Sequence, residues 1–248
     1  MPNHFSALGI TVQSEDTFNE LIYQTATSGT VIATPPGLYI FWAMGGGVEL
    51  WAQATHERRL LGLNPHFSGS ARMRVGITNR VERASDTELD GAFHGWANPA
   101  GDALDSGDYP FVVDVPDSDT YADLALPAVH TMQIAAFAHT LSVFADEEAY
   151  RSAPQEQEGP RWATESFVPV GLFETSGEPP AHAMFTGRVL EAALRTNPAT
   201  GASFFWALVR TLGGEIDVVA DPELVQAPLV AGGVVQGMFW LSGRILKG

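Results

Sequence analysis

The chain contains no cysteine. Disulfides, thiolate zinc sites, iron–sulfur ligation and cysteine nucleophiles are therefore excluded, and any metal must be held by His and carboxylates. Basic residues are scarce: 13 Lys and Arg stand against 29 Asp and Glu, a formal charge of −16. So acidic a chain repels a phosphate backbone or an anionic bilayer, and neither nucleic acid nor membrane is expected as a partner. No apolar run approaches the roughly 18 residues of a membrane span, and "MPNHFSALGI" lacks the basic region and apolar core of a secretion signal. A soluble, cytoplasmic protein is expected. The common signatures of chemistry are missing as well: G-x-S-x-G, G-x-x-x-x-G-K-[ST] and G-x-G-x-x-G do not occur, and "HERRL" from His56 stops short of H-E-x-x-H.

What is present is a chain of 248 residues, 45% of them hydrophobic, long enough to bury a substantial core. "HFSALGITV" alternates as a strand. Ser14 can cap a helix whose first turn carries Glu15 and Asp16, with Phe18, Leu21, Ile22 and Thr25 on one face and Gly29 at its end. "TVIAT", "LYIFWAM", "VELWAQ" and "RLLGLNPHF" follow as strands separated by Pro-Pro-Gly, triple-glycine and polar turns. The order βαββββ places one helix on an antiparallel sheet. "ARMRVGITNRVE" is a further strand. The Gly-, Asp- and Pro-rich stretch from Asp86 to Asp108 reads as a long loop, after which "YPFVVDVP" and "HTMQIAAFAHTLSVF" return to strand and "ADEEAYRSA" to a short helix.

"QEQEGP", residues 155–160, is the best boundary, dividing a domain over 1–154 from a second over 161–248. In the second, "HAMFTGRVLEAALR" and "SFFWALVRTL" flank a turn in which Gly201 supplies the left-handed position; "EIDVVAD", a short "DPELV" turn and "GGVVQGMFWLSGRIL" complete it. The fold class expected is α+β and β-rich: a mixed N-terminal part with one main helix, followed by a small β-barrel.

Two partial resemblances bear on function. The N-terminal order, with His4 at the opening of the first strand and Glu49 on a later one, resembles one half of the vicinal oxygen chelate (glyoxalase-like) superfamily, which implies a metal site at His4 and Glu49. Strand parity sends these two side chains to opposite faces, leaving a structural histidine and a surface glutamate unless a bulge near His4 turns it back. Residues 182–246 resemble an OB-fold, a five-stranded Greek-key barrel, although only one long final strand stands where two are expected. The whole chain also resembles an uncharacterised bacterial family, a likeness that implies no activity.

His66 in "LNPHFSG" and His94 in "DGAFHGWANP" each sit beside an aromatic residue and glycines, a composition suited to a pocket wall with one polar group. With Trp51 and Trp96 they form the preferred ligand-binding set; the alternative is that the histidines bond to backbone and the tryptophans fill core. The acidic stretch of Asp102, Asp105, Asp108, Asp114, Asp117 and Asp119 lacks EF-hand spacing and reads as solvated carboxylates. No nucleophile, base and orienter can be assembled from the sequence. The expectation is a non-catalytic protein that binds a small molecule or another protein, with no cofactor; a metal-dependent enzyme of vicinal oxygen chelate type is the alternative. Strands apolar on both faces, such as "LYIFWAM", leave room for a homodimer interface.

Overall fold

A computed structural model of the protein describes residues 2–101, 104–154, 162–171 and 178–246. The molecule is β-rich, with two sheets and one main helix. The helix α1 spans Glu15–Ser28 and begins as the sequence dictates: the Ser14 side chain accepts from Thr17 N–H while Thr17 reaches back to the Ser14 backbone, and Gly29 N–H closes the last turn on Thr25 O. Leu21 and Thr25 are its buried residues.

Strands β1 (Thr30–Ala33), β2 (Leu38–Gly45), β3 (Val48–Ala54) and β4 (Leu60–Phe67) form an antiparallel meander in chain order. Every residue of β3 is buried. Val48, Leu50 and Ala52 cluster with Leu21 of α1 and with Leu8 and Ile10, so the expected parity holds. The other face is covered too, which the sequence pattern did not reveal.

The opening segment departs from expectation. In place of a strand, Ser6–Leu8 make a 3₁₀ turn ending at Gly9, whose φ of 67° lies in the left-handed region that glycine tolerates. Its carbonyls find partners away from any sheet: Asn197 Nδ2 donates to Leu8 O and Thr200 Oγ1 to Gly9 O. Side-chain donors from the "TNPATGA" turn thus replace a strand neighbour. Leu8 and Ile10 still reach the core, and that is the source of the strand-like pattern.

The larger sheet contains β5 (Met73–Val81), β6 (Ala92–Ala97), β7 (Tyr109–Asp114), β8 (Ala128–Phe144), β9 (Ser166–Pro169), β10 (His182–Thr196), β11 (Ser203–Thr211), β12 (Gly214–Ala220) and β13 (Val234–Ile245), with a short helix α2 at Glu147–Ser152. Strand β6 lies inside the stretch expected as one long loop. Its turn-forming composition is overridden because β5 and β7 flank and pair with it on both sides. Strand β9, not anticipated, pairs with β10.

The long strands β8 and β13 pair with each other over most of their length. Pairings run from β8 through β12, β11 and β10 to β13, and separately from β8 through β5, β6 and β7 to β13. Strands from both sides of residues 155–160 therefore share one sheet; those six residues themselves, like Asp102, lie outside the described part. One core cluster contains Val75, Phe111, Ile134, Phe185, Val218 and Phe239. A second joins α1 and the small sheet to Phe137, Trp206, Val219 and Trp240 of the large one. Among the described residues no helix is long and apolar enough to cross a membrane.

Candidate functional site

Register assembles a polar cluster where the two sheets meet. On β13 the residues Trp240, Ser242 and Arg244 share one parity; Arg244 lies opposite Gln133 of β8, and Ser242 lies opposite Ala135. Asp217 of β12 is also opposite Ala135, from the other side. On the small sheet Glu49 of β3 lies opposite His66 of β4. Five strands thus bring Glu49, His66, Gln133, Asp217, Ser242 and Arg244 together.

Their hydrogen bonds have a direction fixed by one charge. The Asp217 carboxylate accepts from Ser70 N–H (3.2 Å), Ala71 N–H (2.9 Å), Trp206 Nε1 (2.8 Å) and Gln133 Nε2 (2.8 Å). Four donors converge on this carboxylate and orient the Gln133 amide, whose nitrogen must face it. Gln133 Oε1 must then accept from His66 Nε2–H (3.0 Å), which leaves His66 Nδ1 bare to accept the Ser242 hydroxyl (2.8 Å). The β4–β5 connection can approach Asp217 this closely only through Gly69, where a Cβ would stand 2.2 Å from the carboxylate.

A hydroxyl donating to an imidazole oriented by a third group has the form of a nucleophile, base and orienter. The electrostatics oppose that use. His66 is 0% exposed, and burial first, then the positive charge of Arg244, pushes its pKa down to about 3, while the Gln133 bond offsets this in part. Placing a proton on it at neutral pH costs several kcal/mol at about 1.4 kcal/mol per pKa unit, and its orienter is a neutral amide instead of a carboxylate that would stabilise the imidazolium. The relay of bonds from Asp217 through Gln133 to Ser242 fixes the tautomer of His66.

Next to the relay lies a charged group. Arg244 donates through Nε (3.2 Å) and Nη2 (2.8 Å) to Asp117 Oδ2, stands with Nη1 3.6 Å from Glu49 Oε2, and lies over the Trp51 ring at 4.7 Å. Trp51 Nε1 also donates to Glu49 (3.1 Å). Glu49 is 7% exposed, so the expectation of a surface glutamate is corrected: Arg244 from the end of β13 and Leu89 from the β5–β6 connection lie on that face of β3. Burial raises the Glu49 pKa, against the opposing pull of Arg244 and the Trp51 bond.

This group backs a cavity of about 520 Å³ lined by Ile32, Arg72, Asp117, Tyr121, Gln133 and Arg244, with Ser68, Gly69, Thr120, Ile245 and Leu246 completing its wall. A second cavity of about 190 Å³ has Asn64, Arg83, Asp86, Asp114, Trp240 and Ser242 on its wall. Only the first has the roughly 300–1,000 Å³ of a typical small-molecule site.

Of the residues anticipated from sequence, His66 and Trp51 belong to this neighbourhood. His94 and Trp96 do not: both sit on strand β6 and not in a loop, His94 bonds to Thr78 Oγ1 (2.7 Å), and among the described residues no hydrogen bond or ring contact joins either to His66 or Trp51. His4 is placed elsewhere. Its Nε2 meets His139 Nε2 at 2.8 Å, and its ring stacks on Trp240 at 4.2 Å, whereas Glu49 is engaged by Trp51 and Arg244. Among the described residues no group of three or more His, Asp and Glu is arranged to hold a metal ion.

Asp117, Gln133, Asp217, Ser242 and Arg244 were not singled out from the sequence as site residues. The available signal was a lone polar residue inside an apolar strand, as in "TMQIAAF", "EIDVVA" and "WLSGRIL".

Comparison with known proteins adds no assignment. The chain matches no family model, no curated protein and no solved structure. Function rests on the site itself.

Proposed function

We propose that this is a non-catalytic protein that binds a small ligand in the 520 Å³ cavity between the Ser118–Tyr121 turn, the β4–β5 connection and the end of β13. The observation that carries this reading is Arg244, a guanidinium at the cavity wall held rigid by Asp117 and the Trp51 face. Pre-organised polar groups on a partly apolar concave wall are what small-molecule recognition requires. The depressed basicity of His66 supports binding over catalysis. The ring of pairings β8–β12–β11–β10–β13 supports reading the C-terminal part as an OB-like barrel, with β8 as the strand that residues 182–246 lack.

A melting-temperature screen against small molecules tests the proposal. Thr120, exposed at the cavity wall, is the site for a blocking substitution. A ligand that raises the melting temperature of the parent protein is expected to lose its effect on Thr120→Trp. A screen without any stabilising compound, or a stabilising compound indifferent to Thr120→Trp, would remove this cavity as the binding site.

A further inference from the structure

We infer that the ligand of the larger cavity is a small organic carboxylate with an apolar body. This inference rests on the small-ligand reading above and specifies the class of molecule that the cavity accepts.

The chain has only 13 basic residues and a formal charge of −16, yet two guanidiniums, Arg72 and Arg244, line this one cavity. Arg72 is anchored to its own loop: Nη1 donates to Gly69 O (3.2 Å) and Ala71 O (2.6 Å). Among the described residues it has no acidic partner. Arg244 spends Nε and Nη2 on Asp117, while Nη1 lies 3.6 Å from Glu49, beyond hydrogen-bond reach. Each arginine thus keeps N–H donors for a further acceptor.

The unspent N–H donors at the cavity favour an anion. Asp117 offsets Arg244. Burial pushes Glu49 toward its neutral form, and the Asp217 carboxylate, behind Gly69 and Gln133, is engaged by Ser70, Ala71, Trp206 and Gln133, so the Arg72 donors are the ones that reach the cavity without an acidic partner. Two guanidiniums on one wall of an otherwise acidic molecule present the donors that an anion needs. A planar carboxylate matches the fork of a guanidinium. A phosphate dianion would bring a second negative charge close to Asp117 and Asp217, which a monoanionic carboxylate does not. Ile32, Ile245 and Leu246 supply the apolar wall for the rest of the molecule.

Hexanoate, hexanamide, hexylammonium and inorganic phosphate, titrated at neutral pH and low salt by calorimetry and by melting temperature, distinguish the outcomes. Hexanoate is expected to bind, hexanamide at least about tenfold more weakly because it forfeits the charge-assisted bonds, and hexylammonium and phosphate not measurably. Arg72→Gln, an exposed substitution, should weaken hexanoate by at least about tenfold while leaving the melting temperature of the free protein unchanged. Amide binding equal to carboxylate, binding confined to phosphate or the ammonium, or an unaltered affinity in Arg72→Gln would each overturn the carboxylate assignment. If hexanoate does not bind while some neutral or cationic compound of a wider screen does, the carboxylate assignment fails and the small-ligand reading stands; if no class of compound binds, both fail.

Discussion

The hydroxyl of Ser242 stands 2.8 Å from Nδ1 of His66, and the proton between them belongs to the serine. It is held there by Asp217, two hydrogen bonds further along the relay, which through Gln133 dictates the tautomer of the imidazole. The pair looks like an activated nucleophile, but the imidazole, buried and close to Arg244, resists the proton that activation would transfer to it. Ser242 is accordingly expected to ignore fluorophosphonate reagents, read out by mass spectrometry of the intact protein. Ser242→Ala should cost about 1–3 kcal/mol in denaturant unfolding, the penalty for a buried acceptor left without its donor. Stoichiometric labelling at Ser242 would restore the catalytic reading.

Acid should weaken the fold through its neutral histidines. Burial lowers the pKa of His66 to about 3 and that of His4 to about 4, the latter helped by the neighbouring His139 and His182. Both groups bind protons more readily when unfolded, so the stability they contribute is complete above about pH 6.5 and lost progressively as pH falls toward the folded values. Urea unfolding of the parent protein and of His66→Gln at pH 7, 6 and 5 measures this. The stability advantage of the parent over the variant is expected to shrink by about 1.4 kcal/mol for each pH unit below 6.5. A constant difference across the series would show that His66 titrates normally.

Gly69 should be among the least replaceable glycines. A methyl group there would meet the Asp217 carboxylate at 2.2 Å and force the loop outward, breaking the bonds from Ser70 and Ala71. Gly69→Ala is expected to cost about 2–4 kcal/mol. At Gly201 the requirement is different: φ is 73° with open space around the α-carbon, so Gly201→Asn should cost less than about 1 kcal/mol. Equal penalties in thermal unfolding would contradict the close approach.

Arg244→Met should be the costliest of these changes. It leaves Asp117, and whatever charge Glu49 carries, buried without a counter-ion, at about 3–5 kcal/mol. Adding Asp117→Asn should recover part of that loss. A double-mutant cycle with strictly additive costs would mean that the pair contributes no coupling.

Much of the architecture was legible in the sequence because it is periodic. Helix α1 with its Ser14 cap, the strands β1 to β5, and the Gly201 turn follow from patterns of 3.6 or 2 and from turn chemistry. Failures came where tertiary partners replaced local signals: Leu8 packs like a strand residue from a 3₁₀ turn, and "AFHGWA" becomes a strand because its neighbours pair with it. Of the site, alternation placed Glu49, Trp51 and Gln53 together but could not say what lay over them. Arg244 and Asp117 are 127 residues apart, and the pairing of β13 with β8 and, through Ser242 and Asp114, with β7 brings the arginine to that position.

Because β8 and β13 belong to both circuits of pairings, they act as a common spine. Each circuit closes through that one shared pairing, so unzipping that begins along the spine opens both halves at once. Cooperative loss of structure is thereby built into the connectivity itself.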